Sequence, residues 1–278
     1  MKKNLYAFWA VAYVLIFLAI QLIVQTMVMV IQTIKEGGLV EQLSAVGNII
    51  TMVTFSLITI ILFTLLKWAP VSRHYLMSRP WVVLFWSFVA SMGAIIPSMW
   101  LQEMMPEWPE AVQQYIDQAE AMATQLMSTT GGYAVVGLLA PVAEELVFRG
   151  AALRSLLLWK PERPWLMIFF SAVLFALAHF NPAQLLHPLL IGLLLGWMYY
   201  RTGSILPGII YHWANNTVAY LLFHAYPSND IKLADIFSSQ THVLLAVFFS
   251  LFILLPAIFQ LNYWMKRPDG DAQSPSMG

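Results

Sequence analysis

Apolar and polar residues come in blocks along this chain. Eight mostly apolar stretches, at about 5–34, 45–67, 81–101, 132–158, 164–180, 183–200, 204–224 and 241–264, are parted by short polar segments. A helix needs about 20 such residues to cross the hydrocarbon core of a bilayer. Within lipid a helix also satisfies its own backbone hydrogen bonds. The pattern therefore predicts an all-α fold, a polytopic membrane helix bundle of about eight transmembrane helices. The fifth and sixth stretches are short and separated only by Asn181-Pro182, which predicts a tight helical hairpin. The first stretch is far too long for the apolar region of a signal peptide and shows no clear small-residue cleavage site, so it is read as a retained span. No internal repeat or interdomain linker interrupts the series. The expectation is a single integral membrane domain, 1–278, with a motif-bearing core at about 131–224 and a disordered polar tail at about 267–278.

One polar segment, about 102–130, has a pattern of its own. Val112, Tyr115, Ile116, Ala119, Ala123 and Leu126 recur every three or four residues. Pro109 suits a first helical turn and Glu110 the positive end of a helix. This predicts an amphipathic helix on the membrane surface, serving as a connector, or as a lid or substrate-docking surface.

Composition agrees with the blocks. Hydrophobic residues make up 60% of the chain and charged ones 10%, against roughly 25% charged in soluble domains. With a formal net charge of zero, nucleic acid is excluded as a partner, and the expected surroundings are the lipid bilayer. There is no cysteine, which removes disulfides, thiolate nucleophiles and Cys-ligated zinc. With eight spans, Lys2, Lys3, Lys67, Arg73, Arg79, Arg154, Lys160, Arg163, Arg201, Lys266 and Arg267 share one face, and only Lys35 and Lys232 lie on the other. The positive-inside rule then puts both termini in the cytoplasm, and the compact chain suggests a bacterial cytoplasmic membrane.

Polar groups inside the apolar blocks carry the candidate chemistry. Glu144, Glu145 and Arg149 fall within the fourth block, where each ionised side chain costs about 2.5–3.5 kcal/mol on insertion scales. Glu145 and Arg149 are four apart, the favoured order for a helical ion pair, so Glu145 is expected to neutralise Arg149. Glu144 points about 100° away and finds Phe148 four residues on. It has no partner in its own helix and suits a general base. Pro141 removes a backbone donor and frees a carbonyl one turn earlier. His179 ends the fifth block, and His212 and Asn216 share one face of the seventh. His74, His187, His224 and His242 are read as interfacial or structural, and Asn215 as pointing away from the cavity.

The sequence Glu-Glu-x-x-x-Arg at 144–149, Phe-x-x-x-His at 175–179 and His-x-x-x-Asn at 212–216 resembles the motifs of the CPBP family of intramembrane proteases, which includes the CaaX prenyl endopeptidases. Gly192 to Ser204 is also similar. The resemblance spans about 131–220 and implies an intramembrane endopeptidase with a buried polar catalytic cavity. It implies that Glu144 activates water with His179 helping to position it, that His212 and Asn216 stabilise the oxyanion, and that Glu145 and Arg149 hold the motif helix. The implied partner is a membrane-associated peptide or protein substrate. No cofactor is expected. The alternative is a metalloprotease with zinc, or another divalent metal, on Glu144, His179 and His212, since two His and one Glu is a known catalytic ligand set; against it, no His-Glu-x-x-His motif is present.

Two non-catalytic classes compete. A proton-coupled transporter would use the same buried groups as a relay. An immunity or scaffold protein would act by binding and would keep its function without Glu144.

Overall fold

The structure is a computed structural model that describes residues 3–71, 73–106, 108–226 and 232–265. The expected disordered tail lies outside the described residues. Every regular element among them is helical, and each of the eight apolar stretches forms a helix or a run of helices. The long ones are α1 (Lys3–Glu36), α2 (Ala45–Leu65), α4 (Trp81–Glu103) and α12 (Gln240–Trp264). These four are long and apolar enough to cross a membrane on their own. They expose large apolar side chains such as Leu22 and Ile31 on α1 and Phe252 and Phe259 on α12, a surface suited to lipid rather than water. The protein is an integral membrane protein. The short helix α3 is Arg73–Met77.

The fourth block is a continuous helix that changes register twice. A π-helical stretch, π1 (Ala134–Leu139), leads into α6 (Ala140–Glu145), then a second stretch, π2 (Leu146–Leu153), and α7 (Arg154–Trp159). The predicted hairpin follows as α8 (Pro164–Leu177) and α9 (Leu186–Thr202). Its connection is longer than the sequence suggests. Asn181 accepts from the Ala183 amide at 3.0 Å and starts a 3-10 turn, Pro182–Gln184, before α9 begins. Gly192 and Gly196 let the two helices close up: a Cβ on either would lie 2.9 Å from the Ala172 methyl or 2.8 Å from Ile168 Cγ2. Small residues four apart allow such close helix packing in membranes. The remaining elements before α12 are α10 (Leu206–Ala225) and α11 (Leu233–Phe237).

Two apolar clusters hold the bundle. One joins α1, α2, the motif helix and α8 around Phe17, Phe55, Phe148 and Phe175. The other joins α4, α9, α10 and α12 around Leu195, Met198, Tyr211 and Leu261. Helix α9 belongs to both, with Tyr199 in the first and Ile191, Leu195 and Met198 in the second. Arg201 at its end donates to the Met265 carbonyl at 2.9 Å and to Asn262 Oδ1 at 3.1 Å, so it ties α12 to α9 by filling unpaired terminal carbonyls.

The amphipathic segment forms α5 (Glu110–Ser128). Pro109 is its N-cap rather than a member of its first turn. Ile116 is buried, whereas Tyr115 and Ala123 stay exposed. The helix rests on α2, α10 and the 182–184 turn. Asn48 of α2 donates to Gln125 at 2.6 Å.

Candidate active site

The register changes of the motif helix set its polar groups. At the end of π1 the Ala140 amide bonds the Val135 carbonyl, five residues back. In that register the amide of residue 141 would reach Val136, and Pro141 has no amide to give. The freed carbonyl is therefore that of Val136, where an ordinary α-helix would have freed that of Gly137. Asn216 Nδ2, arriving from α10, donates to it at 2.9 Å. In π2 the Phe148 carbonyl likewise takes a bond from Ser171 Oγ of α8 at 3.0 Å. Wide turns of this kind often mark functional positions in helices.

Glu145 and Arg149 form a buried pair. Arg149 Nη1 donates to Glu145 Oε1 at 2.7 Å, with the two side chains 1% and 0% exposed. Arg149 Nη2 reaches the Gly192 carbonyl at 3.4 Å, and its guanidinium lies 4.3 Å from the centre of the Phe175 ring. Helix α10 comes close to this pair at Gly208, where a Cβ would sit 2.6 Å from Glu145 Oε2. Removing one partner strands the other charge, which costs roughly 3–5 kcal/mol. Arg149→Ala and Glu145→Ala are therefore expected to lower the thermal midpoint in detergent sharply. Wild-type melts with lost turnover would instead put these residues in the chemistry itself.

Glu144 stands apart from that pair. Its side chain is 20% exposed, and His212 Nε2 lies 3.8 Å from its Oε2. His212, on α10, lies between the two glutamates: its Nδ1 is 3.4 Å from Glu145 Oε1, without the alignment of a hydrogen bond. Phe175 touches three of the polar groups. Its ring meets His212 at 5.8 Å and His179 at 4.8 Å, both edge-on, while Arg149 covers its face. His179 sits just beyond the end of α8, exposed. Its Nδ1 donates to the Phe175 carbonyl at 2.8 Å. That leaves Nε2 as an acceptor in the neutral ring.

The structure thus brings Glu144, Glu145, Arg149, His212 and Phe175 into one cluster, with Asn216 one turn further along α10 and His179 at its rim. Residues 127–218 match the family model described as Rce1-like, type II CAAX prenyl endopeptidase. They form a CAAX-protease domain. No curated protein and no solved structure gives a significant match to the chain. The Rce1-like domain covers about a third of the sequence. It runs from the end of α5 to the middle of α10 and contains every residue of the cluster. At the level of the family, the match supports a CAAX-type intramembrane protease in general terms. Helices α1, α2, α4 and α12 lie outside it and supply most of the lipid-facing surface.

Within the Rce1-like domain the fold adds two residues that the sequence pattern set aside. His187, at the start of α9, brings its Nε2 to 3.4 Å from Asn215 Nδ2. Asn215 is buried, at 8% exposure, and also donates to Asn216 Oδ1 at 3.4 Å. Both belong to the polar network, so of the two roles read for His187 the structural one fits, and Asn215 does not point away from the site. Their cue was positional: Asn215 is one residue off the His212–Asn216 face, and a neighbouring helix meets that flank. His224 and His242 are exposed at helix ends, as expected.

Among the described residues no three His, Asp or Glu side chains converge closely enough to hold an ion. The Phe175 carbonyl occupies His179 Nδ1.

Proposed function

We propose that this protein is an intramembrane endopeptidase that hydrolyses a peptide bond of a membrane-associated peptide or protein with a water activated by Glu144. The observation that carries the reading is the division of labour between adjacent carboxylates. Glu145 is committed to Arg149 at 2.7 Å, whereas Glu144 is partly exposed and faces a histidine of another helix at 3.8 Å. That separation leaves Glu144 Oε2 without a direct hydrogen bond from the protein.

In this mechanism Glu144 takes a proton from water as it attacks the scissile carbonyl. His179, with its free Nε2, helps to hold the water. His212 and Asn216 Nδ2 face the oxygen on which negative charge develops. Such preorganised donors supply the largest single share of rate enhancement in many hydrolases. Glu144, protonated by the first step, returns its proton to the leaving amine, which general acid–base catalysis requires.

The test compares new protein termini in membranes of cells carrying wild-type protein or Glu144→Gln. The expected result is a small set of cleavage products that appear only with the wild type. Identical termini, with any cellular phenotype retained by Glu144→Gln, would overturn the proteolytic reading in favour of a protein that acts by binding. Turnover is further expected without a bound metal, because the Glu, His and Asn set is complete for water activation. Stoichiometric zinc in purified protein, with activity lost on chelation and restored by zinc, would defeat that expectation.

A further inference from the structure

We propose that His187 and Asn215 are positioning residues that lock the amide of Asn216 with its nitrogen turned to the reaction. This rests on the reading of Asn216 as an oxyanion donor. Asn215 Nδ2 lies 3.4 Å from His187 Nε2 and 3.4 Å from Asn216 Oδ1. An amide nitrogen can only donate, so His187 Nε2 accepts and the ring carries its proton on Nδ1. Both amide hydrogens of the buried Asn215 are then used. On the far side, Asn216 Nδ2 gives one hydrogen to the Val136 carbonyl at 2.9 Å. Its second N–H remains for a ligand.

The order of bonds runs one way. His187 accepts from Asn215, Asn215 donates to Asn216 Oδ1, and Asn216 Nδ2 donates to Val136. Turning the Asn216 amide over would set oxygen against the Val136 carbonyl and nitrogen against the Asn215 donor, losing two bonds at once. Without Asn215 only the Val136 contact opposes that turn. His187 comes from α9 and Val136 from π1, so the orientation of one side chain on α10 is fixed by three helices. Simple glue between α9 and α10 would need the His187–Asn215 contact alone. It would have no use for the further bond from Asn215 to its sequence neighbour.

The experiment uses the full chain in detergent with 15N-labelled asparagine. The Asn216 side-chain amide signal is assigned by its loss in Asn216→Ala. It is expected to move in Asn215→Ala and in His187→Ala, and to return toward its wild-type position in His187→Gln, which supplies an acceptor oxygen. On a peptide carrying a cleavage site found in the termini comparison, Asn215→Ala and His187→Ala are expected to lower kcat about 10- to 100-fold, the cost of a misplaced catalytic group. KM should stay within about twofold, and His187→Gln should recover most of the loss. If His187→Ala does not fold, His187→Asn, too short to reach, takes its place. An unmoved Asn216 signal overturns the relay, and so does a moved signal with wild-type kcat. If the wild type cleaves nothing, the proteolytic reading falls and the amide signals alone decide whether the lock exists.

Discussion

Purified Glu144→Gln is expected to keep its fold and lose turnover by at least 100- to 10,000-fold, the range supplied by a positioned general base. The substitution is isosteric, and an amide cannot take a proton from water. The fold should hold because Glu144 Oε2 makes no hydrogen bond with the rest of the protein and comes no closer than 3.8 Å to the His212 ring. Its buried neighbour behaves differently. Glu145 neutralises a guanidinium that is 1% exposed, so its loss shows in the melt. The measurement is therefore paired, with kcat on the identified peptide and a melting curve for the same preparation. Retained turnover in a normally melting Glu144→Gln protein would remove Glu144 from the mechanism.

The second large effect is expected at Asn216. Loss of one oxyanion donor costs about 100- to 1000-fold in turnover, so Asn216→Ala should lower kcat by that factor and leave KM nearly unchanged. Asn216→Asp should be as damaging. A carboxylate would repel the developing charge and would set an oxygen against the Val136 carbonyl in place of the 2.9 Å donor. A suitable control is His224→Ala, further along α10, where the ring is exposed and its Nδ1 bonds only the Tyr220 carbonyl of its own helix. A mild Asn216→Ala beside a crippled His224→Ala would invert the assignment of this helix.

Much of the site could be read before the fold was known, for a simple reason. Ionisable groups inside apolar blocks are conspicuous, and four-residue spacing on a helix fixes which of them meet. Glu145 and Arg149 pair as their spacing predicts. The eight apolar stretches coincide with helices, but membrane crossing does not follow for each. Helix α8 has 14 residues, short of the roughly 20 a span needs, and depends on its neighbours for its place. His187 and Asn215 could not be read because their meeting depends on how the start of α9 lies along α10. Neither helix encodes that contact by itself. The π stretches were equally hidden. Pro141 announces a missing donor, yet which carbonyl it frees depends on a register that the apolar pattern does not distinguish from an ordinary helix.

That register limits how this segment can change. Removing any one residue from π1 would turn the five-residue bonding into four-residue bonding, and the segment would close into a regular helix with its ladder intact. The parts on either side would keep nearly the same facing, because a π turn is one extra residue taken up within an α-helix. In π2 the same change would return the Phe148 carbonyl to the helix's own ladder and leave Ser171 of α8 without its partner. The count of residues along this segment therefore sets which carbonyls are open to neighbouring helices, rather than which way the helix faces.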